Sequence, residues 1–214
     1  MWWWYACAQT PTASAPTPLD PTPTYAERVA AIARARDEVA TWSDAALRAW
    51  LTDRVELELV PAWIDTGWDF YGTAAAPGAG DIACGHFVGT ILRDAGFELD
   101  RLAVGALASE HILGLFTSPA ERRRFRDQTP DQIAAALEAA PDGWYGVGLD
   151  FHAGMLFVRD GHLRFCHSSW VVDRVTCEDP RDSRAFPSRY TVVAPFLTDR
   201  ALAAWRARAP ITPR

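Results

Sequence analysis

Lysine is missing from this chain of 214 residues: all 21 basic residues are arginine, set against 27 acidic ones. With abundant alanine, that reads as the composition of a GC-rich genome. The formal net charge of -6 supplies no basic surface for nucleic acid, so no nucleic-acid partner is expected. Cysteine is scarce too. Four residues at irregular spacing, Cys7, Cys84, Cys166 and Cys177, make neither a disulfide framework nor the C-x-x-C pairs of structural zinc sites. One disulfide at most is expected, between Cys166 and Cys177. No apolar run approaches the roughly 18 to 20 residues that a membrane-spanning helix requires. What the chain does have is a hydrophobic content of 49%, including ten tryptophans, which supports a folded body with one main domain.

Residues 1–24 stand apart from that body. Met1-Trp2-Trp3-Trp4-Tyr5-Ala6-Cys7 is an apolar stub, and Pro11, Pro16, Pro18, Pro21 and Pro23 punctuate the tract behind it, giving an extended, solvated spacer. The stub resembles the tail of a bacterial lipoprotein signal, with Cys7 as the lipidated residue and membrane attachment through it. Six residues before the cysteine are short for a charged region plus an apolar core, so either the start lies upstream or the stub is a chance apolar N-terminus.

Residues 25–214 read as helices first and strands second. Val29, Ile32, Ala33 and Ala40 recur at helical spacing among charged residues, and Ser43-Asp44 opens a second helix, carrying Leu47, Trp50, Leu51 and Val55 and ending before Pro61. Gly, Pro and aromatic residues mark residues 62–80 as an ordered loop. Gly80 or Asp81 is expected to cap a helix with Cys84 in its first turn and Gly96 at its end. A helix over Val104 to Phe116, a basic segment from Glu121 to Arg126, and a short helix opened by Thr129-Pro130 follow. After Gly143 the period becomes that of strands: residues 144–149, residues 152–158, a turn at Arg159-Asp160-Gly161, residues 162–167, then Trp170 to Cys177 and Tyr190 to Phe196, with a last helix over Thr198 to Arg208. The class is α+β, N-terminal helices packed on an antiparallel sheet.

Cys84 is the candidate nucleophile, because a thiol where a loop becomes a helix meets the positive end of the helix dipole, which favours thiolate. His152 and His167 lie on paired strands of one hairpin, so that His152 is placed to take the thiol proton while His167 orients its ring. Backbone N–H groups at the helix start, that of Cys84 included, are natural oxyanion donors.

Ile82-Ala83-Cys84-Gly85-His86-Phe87-Val88 with Leu92-Arg93-Asp94-Ala95-Gly96 resembles the cysteine helix of NlpC-type cell-wall peptidases. His152-Ala153-Gly154-Met155-Leu156-Phe157 with Phe165-Cys166-His167-Ser168-Ser169 is similar to that family's histidine strand and the strand after it. The resemblance covers about Trp68 to Ser169. It implies a papain-like fold and hydrolysis of peptide bonds in peptidoglycan stem peptides by Cys84, His152 and His167, without a cofactor, in the cell envelope. It also marks Trp68 and Tyr71 as substrate-binding candidates. Ala83-Cys84-Gly85-His86 departs from the family's usual Asp-Cys-Ser-Gly, and the segment from Glu98 to Trp144 is longer than its usual connection. A papain-like enzyme acting on another amide or an ester, and a non-catalytic envelope module, stay open beside the peptidase.

Each residue also has a plainer reading. A lone buried cysteine is most often a small core residue, and a strand histidine is most often half-buried packing. A Cys84, His152, His167 zinc site matches no familiar spacing. His86 is expected to point elsewhere, and His111 and His162 have no partner pattern. Arg122-Arg123-Arg124 reads as a solvated face, or as a contact for anionic polymers. Trp68 and Trp144 are the tryptophans expected to shape a groove.

Overall fold

The computed structural model describes residues 22–213, so Cys7 and the apolar stub lie outside the described residues. Helix α1 (Tyr25–Val39) starts at Thr24, which accepts from the Glu27 N–H and receives the Glu27 side chain in return. Helix α2 (Asp44–Asp53) is capped by Ser43 as its sequence suggests. The expected stop before Pro61 does not occur. The chain continues through a π-helical stretch, Arg54–Leu59, into α3 (Val60–Trp63). There the Val60 N–H reaches back five residues to the Val55 carbonyl. The widened turn accommodates Pro61, which has no N–H to give and whose ring crowds the preceding turn.

Helix α4 (Cys84–Asp94) is the central helix. Phe87 and Ile91 are fully buried, with Phe87 edge-on to Trp63 at 5.9 Å. Each buried side chain of this size stabilises the fold by about 2 kcal/mol. The helix expected over 104–116 is two, α5 (Arg101–Gly105) and α6 (Ser109–Phe116), because Asp100 caps the first and the chain turns between them. Helix α5 lies almost on the backbone of α4: a Cβ on Gly85 would stand 2.2 Å from the Gly105 carbonyl oxygen. Gly85, directly after the cysteine, therefore has a packing reason. Helices α7 (Pro130–Leu137) and α8 (Asp199–Ala207) are capped by Thr129 and Thr198.

Six antiparallel strands form one sheet in the order β1-β6-β2-β3-β4-β5. They are β1 (Arg123–Arg126), β2 (Gly143–Gly148), β3 (Ala153–Arg159), β4 (His162–Ser169), β5 (Arg174–Glu178) and β6 (Tyr190–Pro195). Strand β1 was not anticipated. It is an edge strand with only Phe125 turned inward, and an edge tolerates the arginine run that disguised it. The sheet is also covered on both faces. Met155 and Phe157 join the core under the helices, whereas Leu156 and Val158 join a second core with Ile133 and Leu137 of α7. Helix α7 thus covers the face opposite the one that carries α4.

One departure from regular pairing positions the site. Strand β4 pairs with β3 only from Arg159↔His162 to Met155↔Cys166, then continues to Ser169 against β5 alone. The ladder between the two strands ends at Cys166, although Gly154 still lies close against His167. The Ser168 hydroxyl donates to the Ile82 carbonyl at 2.6 Å, drawing the segment before α4 to that point.

Candidate active site

The approach to Cys84 is held extended by its backbone. Ile82 N–H donates to the Gly67 carbonyl at 2.9 Å and Ala83 N–H to the Gly72 carbonyl at 2.8 Å. Ala83 is the N-cap, with no side-chain hydrogen bond, so the expected cap by Gly80 or Asp81 is not made; both sit too far upstream. Cys84 is the first residue of α4, and no side chain caps the N–H groups of its first turn.

Cys84 is free and half-buried. Burial pushes its thiol pKa up, and this outweighs the downward pull of the Ala153, Gly85 and Cys84 N–H groups. The helix start therefore does not hold a resting thiolate: desolvation exceeds the dipole's effect. The Ala153 contact sets the sulfur against the start of β3, where the β3–β4 ladder has ended.

His152, immediately before that strand, is 5% exposed, and its Nε2 lies 2.7 Å from His167 Nδ1. His167 is fully buried on β4, stacked on Phe165 at 4.3 Å, and its Nε2 lies 3.0 Å from Glu178 Oε1. The protons on this chain can be assigned by elimination. A carboxylate only accepts, so His167 Nε2–H donates to Glu178; His167 Nδ1 then accepts from His152 Nε2–H, leaving a lone pair on His152 Nδ1. Burial pushes both imidazoles down to about 3, so each is neutral near pH 7. His152 Nδ1 is buried without any partner. No hydrogen bond joins it to Cys84.

Glu178 is the residue that sequence reasoning missed. His167 pairs across the sheet with Thr176, which makes Glu178 its diagonal neighbour on the same face. The Cys166–Cys177 disulfide, one residue from His167 and one from Glu178, joins directly paired positions of the two strands. The expected Cys166–Cys177 pairing is thus the one sequence signal for this register, which puts Glu178 beside His167.

The other candidates fall in varied places. Trp68 is half-buried, its N–H on the Asp173 carbonyl at 3.0 Å, while Tyr71 is 83% exposed on the loop before the cysteine. Trp144 does not shape a groove at this site: it is fully buried at the opposite end of the sheet, paired with Phe157. His86 abuts Gly105, His111 borders a cavity beside Arg122 and Arg200, and His162 is exposed. Arg124 is paired with Glu110, and Arg122 bonds Thr117. Among the described residues no group of three or more His, Cys, Asp or Glu is placed to hold a metal ion. No helix among them is long and apolar enough to cross a membrane. Compared with protein-family models, characterised proteins and solved structures, the chain matches none.

Proposed function

We propose that this chain is a cysteine hydrolase of papain-like architecture that cleaves an amide bond through a thioester. The observation that carries the reading is the hydrogen-bonded chain from half-buried Glu178 through buried His167 to buried His152, which leaves an accepting nitrogen on His152 beside the strand start that the Cys84 sulfur touches. A half-buried neutral thiol needs such a base. Rotation of the Cys84 side chain toward Nδ1 would let the proton pass to His152 as sulfur attacks the carbonyl carbon. The same proton then goes to the departing amine, leaving a thioester. Water attacks that thioester, gives its proton to His152, and the thiol is restored as the acid product leaves. The Cys84 N–H, in the uncapped first turn, is the oxyanion donor.

The substrate class rests on the resemblance to NlpC-type enzymes: peptidoglycan stem peptides, cut in the cell envelope, with no cofactor and with the chain attached to the membrane where Cys7 is lipidated. Purified protein should release stem-peptide fragments from cell wall, and Cys84→Ala should abolish release while leaving the melting temperature near that of the parent. Release by the alanine variant at the parent rate would sink the mechanism. The missing Cys84–His152 hydrogen bond supports a second reading, an envelope module that binds wall without cutting it. That reading requires wall binding with no released fragments and a Cys84 that alkylates no faster than an ordinary thiol.

A further inference from the structure

Strand β4 ends in two serines that are almost wholly buried, Ser168 at 0% exposure and Ser169 at 1%, although the rest of the strand buries Leu163, Phe165, Cys166 and His167. A buried hydroxyl costs free energy unless it is hydrogen-bonded. Ser169 accepts from the Val171 N–H of the turn that follows, at 3.2 Å. Ser168 reaches much further along the chain, to the Ile82 carbonyl, two residues before the thiol.

The other backbone bonds of residues 81–83 show what that one bond does. The Asp81 carbonyl takes the Ala74 N–H at 3.0 Å, the Ile82 and Ala83 N–H groups go to Gly67 and Gly72, and the Ala83 carbonyl takes the Phe87 N–H at 2.8 Å. All of these stay within the preceding loop or within α4. The loop meets the sheet on its far side, at the start of β5, where Trp68 N–H bonds the Asp173 carbonyl and the Thr66 carbonyl takes Val175 N–H at 2.8 Å. Among the described residues the Ser168 bond is the one hydrogen bond from the backbone of residues 81–83 to β3 or β4. Ser168 also follows His167 directly, and His167 holds the ring of His152. Consecutive residues of one strand thus fasten the base and the approach to the nucleophile.

The reacting pair needs such a link. No hydrogen bond joins Cys84 to His152 at rest, so the thiol reaches Nδ1 by rotating its side chain from a backbone that has to stay in place. A misplacement of about 1 Å can cost on the order of 100-fold in rate. We propose that Ser168 is a positioning residue: by holding the Ile82 carbonyl it fixes the start of α4 against β4, and so sets the gap across which Cys84 passes its proton to His152. The inference deepens the hydrolase reading and rests on it for the reaction, whereas the tether itself is testable without any reaction.

Amide hydrogen exchange reads the tether first in the parent chain, where no variant has to fold. The Ile82 and Ala83 N–H groups should be protected to within about tenfold of Val175 N–H in β5, as parts of one cooperative unit. Faster exchange than that would overturn the tether. In Ser168→Ala, exchange at Ile82 and Ala83 should rise about tenfold more than at Phe157 in β3, because the loss is local. An equal rise at all three would mean lowered stability alone, and the proposal would fall. With stem peptides as substrate, the same variant should lower kcat about 30-fold, inside the range for a small misplacement. KM should stay within about twofold, since a fully buried hydroxyl touches no substrate. In the His152→Ala background the further loss should shrink to less than about twofold, because without the base there is no gap to set. A loss as large as in the parent background would overturn the positioning role. No hydrolysis by the parent, with faster exchange confined to Ile82 and Ala83 in Ser168→Ala, would sink the hydrolase and leave the tether standing; hydrolysis by Ser168→Ala at the parent rate does the reverse.

Discussion

At its C-terminal end β3 carries Arg159, which donates from Nε to Glu56 at 2.7 Å and from a terminal nitrogen to Asp53 at 2.6 Å. Just before its N-terminal end stands His152, more deeply buried, with one ring nitrogen bonded to His167 and the other to nothing. The same strand thus begins in an unmet hydrogen bond and ends in a satisfied ion pair. Glu56 is itself only 6% exposed, so Arg159 compensates a buried charge and anchors the α2 and π-helical stretch to the sheet. The orphan nitrogen offers no such gain. A buried polar atom left unpaired costs on the order of 1 to 3 kcal/mol, and such costs concentrate where a site awaits a proton or a ligand. The difference separates a residue kept for stability from one kept for chemistry.

Exchanging the two losses breaks or sharpens that contrast. His152→Ala should lower kcat/KM about 1,000-fold, within the range for removing a general base, and change the melting temperature little. Arg159→Met should leave kcat/KM near the parent value and cost about 2 kcal/mol by chemical denaturation, because Glu56 loses its partner. If His152→Ala instead destabilises as much as Arg159→Met with full activity retained, the two ends do not differ in kind.

Much of this contrast was legible in the sequence, and the rest was not for definite reasons. The hairpin through Asp160-Gly161 announced itself by turn chemistry, and Asp160 and Gly161 do take positive φ there. That turn fixed the spacing of His152 and His167 across two strands. The glycine loop before Cys84 signalled a helix start, yet its cap was misplaced, because extended pairing with Gly67 and Gly72 carries the chain on to Ala83. Thiol ionisation was misjudged for want of burial, which local sequence does not encode. Glu178 and Asp53 were invisible as partners: each meets its histidine or arginine through sheet register or helix docking. Strand β1 and the continuation past Pro61 hid because tertiary packing overrode arginine-rich and proline signals.

The disulfide tests whether the histidine end is held as firmly as the arginine end. Strand β5 ends the sheet, with β4 on one side and a short backbone pairing with residues 65–67 on the other, and the Cys166–Cys177 bond is its covalent tie. Replacing both cysteines with alanine should cost roughly 3 kcal/mol for a closed loop of this size on the chain-entropy estimate. It should also cut activity, by freeing Glu178 from His167, whereas reduction in the Glu178→Ala variant should bring no further loss of activity. Reduction that lowers activity equally in the parent and in Glu178→Ala would show that the bond does not act through that contact.

Acidification should produce the smallest effect and still discriminate the ends. His152 and His167 are depressed by burial to about 3 in the folded chain, against 6.5 as the ordinary value. A depressed histidine pKa means that the unfolded chain binds more protons once pH drops below 6.5, so stability is intact above that value and declines as pH falls toward 3. Between pH 7.5 and pH 6 the pair should cost on the order of 1 kcal/mol, read as a lower denaturant midpoint. Glu178 at 3.0 Å favours an imidazolium on His167, so His152 bears the larger share, and His152→Phe should remove more of the pH dependence than His167→Phe. Arg159 stays charged throughout, its pKa raised above the ordinary arginine value chiefly by the bond to Asp53. Arg159→Met should therefore keep the parent slope while shifting the whole curve down. A slope unchanged in His152→Phe would mean that its ring is not the group held neutral by the fold, and with that the assigned lone pair on Nδ1 would lose its basis.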